Sequence, residues 1–234
     1  MFTLLLFGNT SIIAQSIQIK DIQFRQGQHF NRIADEKFRY VYRIKSSNQH
    51  RSVFRKIDFN SKLEMLDTTL IELKGNYELL TTTSTRTHTA TIFGTRATGT
   101  LLIHFIDNNT EQQRTYPFPI NGLWKRKNSV TLYSSLHSGN IFVIYKSDAR
   151  NWVVQRIDPT GKVIWNRAFS DSERMDITNV NLLQGNKLAF VKVADPFSRT
   201  AENEVVVLDG LTGNVVSSYR LYDEDSKSTV DNVI

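Results

Sequence analysis

The sequence predicts an all-β fold built of four successive four-stranded units, and three observations predict it. An apolar residue followed by Asp and a polar turn closes a strand at Ile57-Asp58, Ile106-Asp107, Ile157-Asp158 and Leu208-Asp209, at spacings of 49, 51 and 51 residues. The segments before these turns, "SVFRKI", "LLIHFI", "WVVQRI" and "EVVVL", have strand composition and no helical period. A second marker, Gly-Asn at 75–76, 139–140 and 185–186, precedes the apolar runs "YELLTT", "IFVIYKS" and "KLAFVKVA". Gly-Asn suits a tight turn because both residues tolerate positive φ.

Each unit therefore reads strand, Gly-Asn turn, strand, variable loop, strand, Asp turn, strand. In Asp158-Pro159-Thr160-Gly161 the residues at i, i+1 and i+3 are those of a type I turn. There the carboxylate can accept a backbone N–H two residues on, and Pro presets its own φ. Asp58, Asp107, Asp158, Gly161, Asp209 and Gly213 are accordingly expected to be structural turn residues. Four strands in about 50 residues, repeated with no helical pattern between them, is the signature of a β-propeller blade. The units span approximately 30–70, 71–125, 126–175 and 176–225, and the first has Asp35-Glu36 where the others carry Gly-Asn. "STVDNVI" at the end of the chain resembles the "MDITNVNLL" that leads into Gly185-Asn186, so a fifth unit is expected to start over 226–234. The expectation is the N-terminal part of a longer propeller with an incomplete ring; the alternative is a four-bladed ring whose last strand closes on the first blade.

"VVQRIDPTGKVIW" (153–165) and "VVVLDGLTGNVV" (205–216) resemble the PQQ-type propeller repeat, an apolar strand ending in Asp, then Thr-Gly, then an apolar strand ending in Trp. Trp165 matches the tryptophan of that repeat, whereas the last unit has "VVSSY" and no tryptophan. The resemblance implies a fold rather than a quinone cofactor.

Two stretches raise questions about faces. In "KFRYVYRIK" (37–45), Phe38, Tyr40, Tyr42 and Ile44 share one face of a strand, and Lys37, Arg39, Arg43 and Lys45 the other. Either the basic face is open to solvent, as in an incomplete ring, or acidic residues of a neighbour cover it. In "TTTSTRTHTATIFGTRATGT" (81–100), Thr85, Thr87, Thr89 and Thr91 alternate, and the segment is expected to be a Thr-rich outer edge strand.

The bulk numbers bound the function classes. The net charge is +6 with a pI near 9.5, but basic residues are dispersed, and "WKRKN" (124–128) is the tightest cluster. A nucleic-acid protein would carry a denser stripe. With no cysteine, disulfides, thiolate metal sites and cysteine catalysis are excluded. The uncharged start "MFTLLLFGNTSIIAQS" resembles the later part of a signal peptide, with residues 1–15 removed near Ala14 or Gln15, and predicts export to the periplasm, cell surface or medium. The alternative is a buried first strand. No other stretch approaches the ~20 apolar residues of a membrane-spanning helix.

Chemistry-bearing patterns are sparse. His29, His50, His88, His104 and His137 have no ligand spacing, and no metal or cofactor is expected. Neither G-x-S-x-G, Ser-x-x-Lys nor a Gly-rich phosphate loop is present. "DEDSKS" (223–228) places Lys227 where a calcium loop needs an oxygen ligand. Asp171, Glu173, Asp176 and Asp195 are the carboxylates from which a glycosidase-type pair could be assembled across blades. No catalytic residue is assigned. The expected function is an exported, non-catalytic binding or scaffold module for an extracellular or envelope ligand, protein or glycan. Trp124, Lys125, Arg126 and Phe197, in variable loops, are its candidate contacts. The competing readings are a propeller hydrolase or lyase acting on an extracellular polymer, and the sensor propeller of a longer signalling protein.

Overall fold

Among the described residues, sixteen strands form four separate four-stranded antiparallel sheets, each a meander whose strands pair in chain order. The computed structural model describes residues 29–34, 36–44, 50–95, 99–120, 130–135, 139–171, 174–196 and 202–221, and no helix occurs among them. Sheet 1 comprises β1 (His29–Ala34), β2 (Lys37–Ile44), β3 (Arg51–Asn60) and β4 (Met65–Lys74). Sheet 2 comprises β5 (Glu78–Ser84), β6 (His88–Thr95), β7 (Thr100–Asp107) and β8 (Gln113–Pro117). Sheet 3 comprises β9 (Val130–Ser134), β10 (Ile141–Lys146), β11 (Asn151–Ile157) and β12 (Val163–Ser170). Sheet 4 comprises β13 (Met175–Leu183), β14 (Lys187–Ala194), β15 (Glu202–Asp209) and β16 (Val215–Leu221).

The sheets stack face to face in sequence order, with β1, β5 and β9 brought together on the inside. Among the described residues the fourth sheet does not return to the first, so the arc is open: the fold is an incomplete β-propeller. Alternation explains the stacking. In sheet 3 the second strand is apolar on both faces because each face meets another sheet: on β10, Ile141 and Val143 join the core shared with sheet 2, and Phe142 and Ile144 the core shared with sheet 4. On β6, Ala90 and Ile92 look toward sheet 3 while Phe93 packs on Phe54 of sheet 1, with ring centroids 4.4 Å apart. Fourth strands are largely exposed and form the outer rim.

Two local expectations are corrected. Gly75-Asn76 joins sheet 1 to sheet 2 and is not a hairpin within a unit, so "ELLTTT" is a first strand. The β5–β6 hairpin is instead turned by Thr85-Arg86-Thr87, where the Thr85 hydroxyl accepts the amide N–H of His88 at 3.0 Å. The Thr-rich segment is not an outer edge: Thr89 and Thr91 lie on β6 with no exposed surface. Burial is tolerated because hydroxyls on paired strands bond one another, Thr82 with Thr91 at 3.0 Å and Ser84 with Thr89 at 2.9 Å.

Candidate functional site

The chemistry of this molecule gathers at the joints between sheets, and one turn position organises all three. In the turn after each third strand a residue in the left-handed region donates its N–H back to the residue that opens the turn. These residues are Leu63 to Asn60 at 2.9 Å, Glu111 to Asp107 at 2.9 Å, Gly161 to Asp158 at 2.9 Å and Gly213 to Asp209 at 2.8 Å. Asp107 accepts the N–H groups of Asn109 and Thr110, both at 2.9 Å. Asp158 accepts those of Thr160 and Lys162 at 2.8 and 3.0 Å, and Asp209 those of Leu211 and Thr212, both at 2.8 Å. The backbone N–H groups of Thr110 and of Thr212 hold the carboxyls of Asp107 and Asp209 below the usual carboxylate range.

Asp58 does not belong to this set. The opening residue of the first turn is Asn60, whose side-chain oxygen accepts the N–H groups of Lys62 and Glu64 at 3.0 and 2.9 Å. Asp58 lies two residues earlier, still on β3, where its side chain points into the joint with sheet 2 and has no exposed surface. The spacing of the turn-opening residues is thus 47, 51 and 51. "IDFN" carries an Asp and an Asn two apart, and only the register shows which one turns the chain.

Joint 1|2 is an ion cluster. The buried Arg39 guanidinium forks onto Asp58 at 2.7 and 2.8 Å and reaches across to Glu111 at 2.8 Å, Asn108 at 2.7 Å and Thr89 at 3.1 Å. The Lys56 ammonium contacts Glu111 at 2.6 Å, Asp67 at 2.9 Å and Asp58 at 3.3 Å. Of the two alternatives for the basic face of β2, Arg39 follows the second: it is covered by Glu111, 72 residues away. Burial opposes ionisation of Asp58, but the Arg39 hydrogen bonds and the charges of Arg39, Lys56 and Lys37 outweigh it and hold the carboxyl below its ordinary value. Asp58, Asp67 and Glu111 place one oxygen each within 4.8 Å of one another, a donor set that would suit a cation. The Lys56 ammonium contacts all three, so the chain's own cation serves them.

Joints 2|3 and 3|4 use rings on glycines. Gly161 lies against the ring of Tyr116 on β8; a Cβ there would stand 3.3 Å from it. Gly213 lies on Trp165 of β12, so closely that a Cβ would be 2.7 Å from the indole. The Trp165 indole N–H donates to Gly210 O at 3.1 Å, and Arg167 donates to Gly213 O at 3.1 Å. Trp152 and Lys146 donate to Met175 O at 2.9 and 3.0 Å, and Lys146 pairs with Asp176. Lys192 pairs with Asp171 at 2.9 Å and Glu204 at 3.6 Å beside a small open cleft of about 60 Å³ lined also by Arg220. Asp171 and Asp176 therefore each serve a different lysine, and Asp195 follows β14 with a left-handed backbone.

Glu173, the contact candidates Trp124, Lys125, Arg126 and Phe197, residues 1–15 and the segment 226–234 lie outside the described residues. Sequence reasoning missed Glu111 and Lys56. The available signal for Glu111 was its offset from Asp107, four residues, the same as that of Gly213 from Asp209.

No family model matches the sequence, and no curated protein matches it. Among solved structures the chain is similar to an acylaminoacyl peptidase solved in complex with Z-Gly-Gly-Phe-chloromethyl ketone. The TM-score is 0.51 at 10% identity, over 83% of this chain and 32% of that one. It is similar to the same degree, TM-score 0.51 at 10% identity, to the β-propeller domain of the Trilobed protease from Pyrococcus furiosus, described as having an open velcro topology. That match covers 83% of this chain and 56% of the domain's chain. The chain thus spans about a third and just over half of the two structures. At such identity the likeness establishes architecture alone: four propeller sheets in an open arc.

Proposed function

We propose that this chain is an exported, non-catalytic binding or scaffold module built of PQQ-like propeller repeats, with an extracellular or envelope protein or glycan as its ligand. The observation that carries the reading is the use made of the carboxylates. Of the four carboxylates from which an acid–base pair could be assembled, Asp176 is spent on Lys146 across joint 3|4 and Asp171 on Lys192. Charges committed to lysines hold blades together and are poorly placed to exchange protons with a substrate. Trp165 on Gly213 supports the PQQ-like assignment for that pair, and the signal-peptide-like start supports export.

The test sets isothermal titration against glycans, peptides and envelope fractions beside a hydrolase screen. Saturable binding without turnover supports the proposal. Turnover that Asp176→Asn abolishes at unchanged melting temperature would favour the hydrolase or lyase instead.

A further inference from the structure

The three joints are closed by different chemistry at one turn position. Gly161 and Gly213 hold it in sheets 3 and 4 and receive the rings of Tyr116 and Trp165. Joint 2|3 adds hydroxyl bonds such as Thr83 with Ser134 at 2.7 Å, and joint 3|4 adds N–H groups on backbone carbonyls, Trp165 on Gly210 O and Arg167 on Gly213 O. None of these contacts needs an ionised carboxylate. Lys146 pairs with Asp176, yet when that carboxylate is neutral it keeps Met175 O and the face of Trp152, 5.3 Å from the ring centroid. In sheet 2 the turn position belongs instead to Glu111, a carboxylate kept in the left-handed region at φ 58°.

Charge is unevenly divided across joint 1|2. To the cluster sheet 1 brings three cations, Lys37, Arg39 and Lys56, and two carboxylates, Asp58 and Asp67. Glu111 is the carboxylate that sheet 2 returns, and it accepts from Arg39 at 2.8 Å and Lys56 at 2.6 Å. Both cations have no exposed side-chain surface, whereas the Glu111 side chain is 37% exposed, so solvent protons reach the bridging group while the joint is closed. A neutral Glu111 leaves sheet 1 with one positive charge in excess, facing Asn108 and Thr89 as the acceptors that remain for Arg39. Buried charge deprived of its counter-ion is strongly disfavoured. Further acid deepens the excess. The Lys56 hydrogen bond holds Asp67 below the usual carboxylate range, and Asp58, despite burial, is held low by Arg39. What these two contribute is therefore complete above that range and is lost as pH falls below it. From sheet 2, His104 faces the same joint, its ring 6.1 Å from that of Phe93, which packs on Phe54, and burial keeps it uncharged down to about pH 4. Once charged, it adds like charge to the joint.

We propose that joint 1|2 is an acid-released latch: protonation of Glu111 lets sheet 1 part from sheet 2 while sheets 2, 3 and 4 stay stacked. At neutral pH the ions act together with the apolar residues the two sheets share, Val41, Phe54 and Ile71 with Phe93 and Ile106. In acid the balance reverses, because the separation that exposes those residues also hydrates Arg39 and Lys56, which gain from water once their counter-ion is gone.

The chain has no cysteine, so one introduced thiol reports on one joint. Val41→Cys places it in joint 1|2 and Val143→Cys in joint 2|3, both at positions with no exposed surface. Labelling of the whole chain with dithiodipyridine, which reacts with thiols in acid, is compared with labelling in urea at the same pH. Both thiols should be protected at neutral pH. At about pH 3, below the ordinary carboxylate range, the labelling rate of Val41→Cys should rise at least tenfold more than that of Val143→Cys. Glu111→Gln combined with Val41→Cys should raise labelling by a similar factor at neutral pH, since it removes the charge without acid. Should Val41→Cys fold poorly, Ile106→Cys serves for the same joint. Equal gains at the two joints would mean general acid unfolding, and that result, no gain at joint 1|2, or an inert Glu111→Gln would each overturn the proposal.

Discussion

Replacing Gly213 by alanine separates two costs that are usually confounded. Gly213 and Gly185 both have left-handed backbones, φ 76° and 71°, so an alanine at either bears the same conformational penalty, about 1 kcal/mol. At Gly185 nothing lies within 4 Å of the new methyl group, and the account ends there. At Gly213 the methyl would stand 2.7 Å from two atoms of the Trp165 indole, nearer than carbon atoms approach, so the ring must move. Moving it breaks the indole N–H bond to Gly210 O, worth about 1 kcal/mol net. It also re-exposes part of a ring packed on Phe142, at roughly another 1 kcal/mol. Gly213→Ala should therefore cost about 3 kcal/mol and Gly185→Ala about 1. Urea titrations fitted with a common slope read the difference, which in a melting experiment on a chain of this size corresponds to roughly 4–8 °C. Equal losses at the two positions would show that Trp165 does not bear on the turn and would refute the docking scheme.

Arg39→Met leaves Asp58 buried with only Lys56 at 3.3 Å and Lys37 at 3.5 Å as partners, and should lower stability by about 3–5 kcal/mol by urea titration. A loss under about 1 kcal/mol would mean that the cluster is solvated. Burial lowers the pKa of His104 from 6.5 to about 4, against a smaller opposing effect from Gln113. Above pH 6.5 the group contributes no pH dependence. As pH falls from 6.5 to 4, the unfolded chain takes up a proton that the folded one refuses, so stability declines by about 3 kcal/mol in total and then levels. His104→Gln should remove that decline; an identical pH profile would contradict it.

Local chemistry was legible in the sequence and long-range chemistry was not. Asp107, Asp158 and Asp209 could be placed because an Asp turn is closed by amides two to four residues away. The same logic misplaced Asp58, since Asn60 offers the same oxygen two residues later and strand register is not a local property. Gly75-Asn76 shows the converse, a turn dipeptide that serves as a link between sheets. The threonines were read by propensity alone, and paired hydroxyls across β5 and β6 overrode the expectation of a wet edge. Alternation in "KFRYVYRIK" posed the right alternatives for the basic face. Choosing between them required Glu111, Asn108 and Thr89, between 50 and 72 residues downstream of Arg39.

The proposed function rests on charged side chains that join blades, and Lys146 with Asp176 is the pair to interrogate. A double-mutant cycle of Lys146→Met and Asp176→Asn, read by urea titration, isolates their coupling. The account predicts that each single variant is destabilised and that the coupling is about 1–3 kcal/mol. A coupling indistinguishable from zero, with Asp176→Asn as stable as the parent, would mean that Asp176 is held for something other than the joint and would contradict the account.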